Sequence, residues 1–493
     1  MLYIRMLLSI VVSLYTSRVV LEVLGVEDYG IYGVVGGVVA MFSFLNASMA
    51  GATSRFLTFE MGRGDKQRLQ DTFSSAMIIH MGIALVVLIL AETVGLWFLC
   101  NKLVIPVERM EAAHWVYQLS VLGMIVNVTQ VPYNATIIAH EKMDVYAYLE
   151  LLNVSLKLGI VYLLTIGKFD KLILYASLVL VVNIIIVGIY RYYCVKYYEE
   201  SHFKLLYNKE ILKGIVSFSV YNLLGNMGAV VNLQGTSFVI NMFFGVVYNA
   251  ASSIGTTISG VVTGFASNIM TAFRPQITKS YAQGDIKHFQ YLLSWALKSI
   301  LLVYSFIAVP VGLIISELLS IWLVEVPPCT DVFCQLLLIS IFFETARYVV
   351  IMGIHATGNV KWVSLFAGVT FMLNPLLIYM LYNWGYPVAY AYVSVIFVNI
   401  FLLVVNLFIL RYNVRYFSVK NIVYSLLKVV VTVIFSLVFL YWTLQFKLGI
   451  CIVDILWVVS LSCLLLGGMS LFTVLNKEQR NLVLKFVCKK NKR

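Results

Sequence analysis

Fourteen stretches of mainly apolar residues, most of them twenty or more long, follow one another along this chain with short breaks between them. They lie at approximately 1–24, 30–51, 72–99, 114–138, 144–166, 172–190, 211–243, 246–273, 290–315, 332–355, 361–383, 386–410, 421–445 and 449–475. A helix of about 20 such residues crosses the hydrocarbon layer of a bilayer. No water reaches that depth, so the backbone must satisfy its own hydrogen bonds, which a helix does within one segment. The expected fold is an all-α polytopic membrane protein. Composition agrees, with 61% hydrophobic and only 12% charged residues, where soluble domains carry about 25% charged. Stretches seven and eight are the weakest, diluted by asparagine and serine. The first carries Arg5 and Arg18 and runs straight on, so it reads as a spanning helix and not as a cleaved leader.

Charge placement fixes the expected orientation. With both termini inside, 25 of the 35 lysines and arginines fall on the inner side and 5 on the outer side, the bias seen for cytoplasmic loops. The net charge of +12 is then a cytoplasmic face meeting anionic headgroups, and nucleic acid is not needed to explain it.

The chain also repeats itself. Gly25-Val26, an apolar run, Arg55 and Gly64-Asp65 reappear as Gly245-Val246, an apolar run, Arg274 and Gly284-Asp285. A third polar loop, Ala139-His140-Glu141-Lys142, corresponds to Ala356-Thr357-Gly358-Asn359. Six helices per copy is an even number, so the copies enter the membrane alike. That is a parallel repeat, related by an axis along the membrane normal. The expected organisation is a lobe over 1–190, a basic and aromatic inner linker over 191–210, and a second lobe over 211–410. An unrepeated helix pair over 411–475 and a basic tail over 476–493 follow.

Several chemistries are excluded or open. The loops are short, which argues against a soluble catalytic domain and a glycan polymerase or ligase. The histidines and the seven cysteines show no metal spacing, and no phosphate-binding glycine loop is present, so no metal and no other cofactor is expected. Cys329 and Cys334 share one loop and are read either as a pair in an oxidising compartment or as plain apolar cysteines, the second being preferred.

Ionisable groups inside a membrane are costly and usually face a partner or a cavity. Arg18 and Glu22 are four residues apart on one helix face, as a structural ion pair or as a cationic cavity site. Glu344 and Arg347, three apart, pose the same choice. Lys157, Lys298 and Lys428 are single cations able to snorkel. Arg55 and Arg274 hold matching places at the inner ends of helices two and eight, either as ordinary inner flanking charges or as two guanidiniums across a cavity. Guanidinium offers paired donors to phosphate oxygens. Helices seven and eight are rich in amides and hydroxyls, with Asn222 and Asn226 on one face and Thr256 and Asn268 among the rest. Such groups suit sugar hydroxyls, and they also hydrogen-bond helix to helix.

The run Leu14-Tyr15-Thr16-Ser17-Arg18-Val19-Val20-Leu21, then Leu24-Gly25-Val26-Glu27-Asp28-Tyr29-Gly30-Ile31-Tyr32, then Ser54-Arg55-Phe56 resembles the opening of bacterial polysaccharide flippases of the Wzx type. These belong to the multidrug/oligosaccharidyl-lipid/polysaccharide (MOP, MATE-like) exporter superfamily, and the resemblance covers essentially the whole chain. It implies a MATE-like fold in a bacterial inner membrane. It also implies alternating access and an undecaprenyl-pyrophosphate-linked oligosaccharide as cargo, for O-antigen or other surface polysaccharide. No enzymatic activity goes with it. Arg18, Arg55 and Arg274 match cavity arginines of related lipid-linked peptidoglycan precursor flippases. Further arginines of that cavity have no clear match, which lowers that precursor as cargo. Multidrug exporters of the fold favour an acidic residue in helix one. Glu22 holds such a place and is the candidate for H+ or Na+ coupling, although Arg18 beside it weakens a cationic-drug reading. Polysaccharide polymerase machinery is the implied protein partner.

Overall fold

The computed structural model describes residues 2–63, 65–140, 142–164, 169–204, 209–443, 451–476 and 479–480. Within these, the side chains of residues 2–11, 47, 51, 55, 59, 62–63, 143, 146–147, 217–222, 268, 271–272, 275, 282, 441–443 and 451–456 lie outside the described set. The expectations placed on Arg55, Asn222 and Asn268 therefore rest on side chains not described, and most of the 476–493 tail also falls outside.

The described chain is helical, with no strand among the described residues. Its long helices are α1 (Leu2–Ala40), α2 (Ser43–Arg63), α3 (Lys66–Leu90), α4 (Met110–Val128), α5 (Met143–Leu163), α6 (Lys171–Tyr197) and α7 (Lys209–Phe244). After them come α8 (Val246–Ala282), α9 (Ile286–Leu313), α10 (Thr330–Thr357), α11 (Lys361–Asn383), α12 (Tyr390–Asn413), α13 (Val419–Thr443) and α14 (Cys451–Thr473). Each answers to one of the fourteen apolar stretches. By length and composition, 10 described segments can cross a membrane. The helices falling short are α2, α5, α8 and α14. Serine, threonine, asparagine and glycine dilute α2 and α8, and α14 counts only over its shorter described part, Trp457–Thr473.

The second stretch differs from expectation in its course. Residues 26–40 continue α1 past a break at Gly25, a turn follows at 41–42, and α2 carries the rest. The break comes from backbone conformation. Gly25 has φ 79° and ψ 168°, a region essentially reserved for glycine. Gly245, between α7 and α8, has φ 82°. Both members of the repeated Gly-Val pair are thus left-handed corners between long helices.

The repeated Gly-Asp pair also has a structural meaning. Asp65 accepts from the Gln67 and Arg68 amides at 3.1 and 3.0 Å. Asp285 accepts from the His288 amide at 2.9 Å. Each carboxylate caps the free donors at the start of the next helix. In the second copy Gly284 supplies the left-handed residue before it, with φ 72°.

Packing divides the chain into two compact units. One comprises Met1–Ile254, Leu323–Cys329 and Ala367–Ala391, and the other Gly255–Trp322, Thr330–Phe366 and Tyr392–Arg493. The repeat boundary and the packing boundary differ because α7 buries its surface against α2 and α3. Ile211 and Ile215 close a small core with Met49, Ala52 and Ala76. The first unit's main core gathers Val34, Val35, Val38, Phe73, Val116 and Tyr117. The second gathers Phe289, Leu297, Ile300, Leu301, Val349 and Leu410. Cys329 and Cys334 are free thiols.

Candidate functional site

In the first unit, the segment after Gly25 lies against the start of α8 and against α7. A Cβ at Gly30 would collide with the Val246 carbonyl oxygen. One at Gly33 would stand 2.7 Å from Ser253 Oγ, and one at Gly37 would stand 2.6 Å from Gln234 Oε1. The glycine spacing of this segment thus builds a close seam, backbone against backbone at Gly30 and backbone against side chains at Gly33 and Gly37. The same motif contributes Asp28, which accepts from Arg109 Nε and Nη2 at 2.7 and 2.6 Å. Arg109 Nη1 also donates to Asp170 at 2.6 Å. Asp170 caps the first turn of α6 through the Leu172 and Ile173 amides. One guanidinium therefore ties α1, α4 and α6 together. Its hydrogen bond to Asp170 is the main reason that carboxyl sits below the usual carboxylate range.

Arg18 is half-buried on the first part of α1 and Glu22 is exposed. Among the described residues no ion pair joins them. Both lie within electrostatic range of Tyr15, which also pairs with Tyr162 of α5. Arg274 is exposed near the end of α8, within electrostatic range of His355 on α10. Glu344 and Arg347 do meet, Oε1 to Nη2 at 3.6 Å. Arg347 is buried, with its guanidinium 4.8 Å from the Tyr348 ring centroid.

Asn226, Asn232 and Asn241 of α7 bond to other elements, whereas Thr263 and Ser267 of α8 bond back within their own helix. Asn226 donates to Ser48 Oγ of α2 at 3.1 Å. Asn232 accepts from Asn374 of α11 at 2.7 Å, where Gly228 and Gly368 let the two backbones approach. Asn241 is fully buried and accepts from the Val104 amide at 2.8 Å. Thr263 bonds back to the Ser259 carbonyl at 2.8 Å. Thr256 is half-buried.

Two cavities frame these residues in the first unit. One, about 230 Å³, lies among α1, α4 and α6 and is lined by Tyr32, Ser120, Asn127 and Asn183. The other, about 880 Å³, opens at the ends of α2 and α3 against the linker. There His140 Nε2 pairs with Glu200 Oε1 at 2.5 Å and its ring stacks on Tyr198 at 4.0 Å. Burial pushes the Tyr198 hydroxyl up. Sequence reasoning missed both the Arg109 clasp and the His140 cluster. Asp28 stood inside the recognised motif and Asp170 directly before an apolar run, the position of a helix cap. Nothing in the sequence paired them with Arg109.

No protein-family model matches the sequence, and comparison with curated proteins finds no match either. Solved structures do match in fold. The lipid II flippase MurJ, in an inward closed conformation, superposes with TM-score 0.69 at 15% identity, covering 95% of this chain and 97% of that one. An inward-facing multidrug resistance MATE transporter of the MOP superfamily gives TM-score 0.66 at 13% identity, covering 85% of this chain and 95% of that one. A MOP transporter from Pyrococcus furiosus, described as having a binding pocket of reversed polarity, gives 0.56 at 13%, covering 84% and 96%. The fold expected from the sequence is the one found: this chain is a polytopic helical membrane protein with the architecture of the MOP superfamily transporters.

Proposed function

We propose that the protein is a flippase that moves an undecaprenyl-pyrophosphate-linked oligosaccharide from the inner to the outer leaflet for surface polysaccharide synthesis. The observation that carries this reading is the extent of the two structural likenesses. The lipid II flippase accounts for 95% of this chain, whereas the multidrug transporter accounts for 85%. A lipid-linked cargo thus fits the longer architecture better than a free drug does. Arg18, Arg55 and Arg274 are the residues assigned to the pyrophosphate. Asn226, Thr256, Asn222 and Asn268 are assigned to the sugar, Asn226 keeping an amide hydrogen and its oxygen beyond the bond to Ser48. Helices α13 and α14 are assigned to the lipid tail and Glu22 to H+ or Na+ coupling. The two repeat lobes alternate access in a bacterial inner membrane, with both termini cytoplasmic, and polysaccharide polymerase machinery receives the product.

The test is leaflet exchange in reconstituted vesicles. A fluorescent polyprenyl-pyrophosphate oligosaccharide is placed in one leaflet, and an impermeant reagent reports its arrival in the other. Exchange that requires the protein and is lost in Arg18→Ala supports the assignment. Absence of exchange together with efflux of a cationic dye transfers the case to a cation-coupled multidrug exporter, the reading that Glu22 and the multidrug neighbours favour.

A further inference from the structure

A thiol with no role in the transport scheme stands at one end of the first unit. Cys100 is the last residue but one of the helical extension of α3 over Leu96–Asn101, and it is exposed. Its Sγ lies 3.7 Å from Nε2 of His114 on α4, within hydrogen-bond reach of sulfur. Contacts further along the same two helices fix the register of this pair. The Tyr117 hydroxyl donates to the Ala91 carbonyl at 2.7 Å, and Gln118 Nε2 donates to Glu92 at 3.2 Å. The extension therefore runs antiparallel to α4, and cysteine and histidine meet near its tip.

The pair sits where water reaches it. Cys100 is one residue from the end of a 36-residue helical segment, Lys66–Asn101, about 54 Å long at the helical rise. The hydrocarbon layer is only about 30 Å thick. The apolar stretch of this helix stops at residue 99, and the polar Asn101 and Lys102 follow. Trp97 and Trp115, each 53% exposed, flank the pair, as tryptophans do at a membrane–water boundary.

The surroundings leave His114 as the partner of the thiol. Glu92 is engaged by Gln118, the Lys102 ammonium lies 5.6 Å from the Trp97 ring centroid, and Arg109 is clasped by Asp28 and Asp170. Glu108 and Glu111 are exposed where α4 begins. Among the described residues Cys100 is the one cysteine in contact with a histidine, while Cys194 and Cys334 are buried. Among the described residues no group of three or more His, Cys, Asp or Glu could hold a metal ion, so the pair does not belong to a multi-ligand metal site. An exposed thiol beside a base is the arrangement of a reactive cysteine.

We propose that Cys100 is a modification site, a thiol that exchanges with small-molecule disulfides of the glutathione class, with His114 as its base. The Cys100 proton passes to His114 Nε2, and the thiolate attacks one sulfur of the disulfide. The disulfide's S–S bond breaks as the bond to Cys100 Sγ forms. The departing half leaves as a thiolate and takes the proton back from His114. Cys100 is oxidised, the departing thiol is reduced, and a second thiol reverses the adduct by the same route. In the orientation proposed above this is the outer face, but the chemistry depends neither on that assignment nor on the cargo.

The test is the rate of adduct formation when the purified protein is treated with glutathione disulfide, followed site by site by peptide mass mapping. The comparison thiol is Asn101→Cys in a Cys100→Ser background, a neighbouring exposed position. Cys100 should react faster than that cysteine, and His114→Ala should slow it about tenfold near pH 7. Above about pH 8.5, where an unassisted cysteine ionises, the rates of the parent and His114→Ala should converge, which a purely structural histidine would not bring about. Equal rates near pH 7 for the parent and His114→Ala overturn the proposal. So does a Cys100 rate no higher than that of Asn101→Cys, which would make it an ordinary surface thiol. A gap that keeps its size at high pH removes His114 as the base and overturns it too. Should His114→Ala fail to fold, the comparison with Asn101→Cys, made with His114 in place, still decides.

Discussion

Arg109 grips Asp28 through two parallel hydrogen bonds, Nε at 2.7 Å and Nη2 at 2.6 Å, and with its remaining nitrogen holds Asp170 at 2.6 Å. The fork geometry of guanidinium permits this double engagement, and an ammonium cannot reproduce it. Arg109→Lys should therefore behave almost as badly as Arg109→Ala. Both should lower the thermal midpoint of the purified protein. A lysine variant as stable as the parent would show that the fork does not matter.

The same clasp has a pH signature. Asp170 is held below the usual carboxylate range, chiefly by its hydrogen bond from Arg109. A depressed folded value means its contribution is complete above the unfolded value, about 3.9, and fades as pH falls through the lower folded one. The parent should lose more stability than Asp170→Asn between pH 5 and 3. Parallel stability curves for the two proteins across that window would remove the carboxylate from the account.

The glycine corners give a second expectation. Gly25→Ala places a side chain in a backbone region that is nearly glycine-only, at a cost of about 1–3 kcal/mol. A Cβ there meets no atom within 4 Å, so the penalty is backbone strain alone. Gly245→Ala should cost a similar amount for the same reason. Gly30→Ala differs, because its Cβ strikes the Val246 carbonyl oxygen. It should move the two helices apart, and spin labels on α1 and α8 should report a longer distance. Unchanged distances would contradict the seam.

Glu344→Gln leaves the Arg347 guanidinium buried without its carboxylate. Breaking a buried pair from one side costs about 3–5 kcal/mol. The Glu344 side chain is 35% exposed, and solvent screening reduces the loss to roughly 2 kcal/mol. Replacing both partners, Glu344→Gln with Arg347→Met, should recover part of it. A double variant worse than the single one would assign Arg347 a role beyond the pair.

For transport, Arg18→Ala should abolish leaflet exchange while the protein remains folded and abundant. Arg18→Lys should retain part of it, since the charge stays and the paired donors do not. Full surface polysaccharide in cells carrying Arg18→Ala at normal abundance would remove Arg18 from the pyrophosphate site.

The helices were legible because apolar length is a strong, local signal: every stretch falls on long helices, though the second is divided between α1 and α2 by the turn at 41–42. The few repeated glycines and aspartates carry matching backbone duties, corners at Gly25 and Gly245 and caps at Asp65 and Asp285. The side-chain roles were less legible. Asn226, Asn232 and Asn241 look alike in sequence, yet their partners come from α2, α11 and the loop after α3, which no local pattern encodes. Arg109 and Asp28 are 81 residues apart and meet only because α1 and α4 pack. The Arg18–Glu22 spacing left open an ion pair or a cavity site, and among the described residues no ion pair joins the two.

The Gly30–Val246 contact carries a consequence for inheritance. Every single-base amino-acid change in a glycine codon introduces a side chain, and at Gly30 every side chain is a wedge between α1 and α8. The gene thus holds a position where one nucleotide forces α1 and α8 apart, with composition and charge almost untouched.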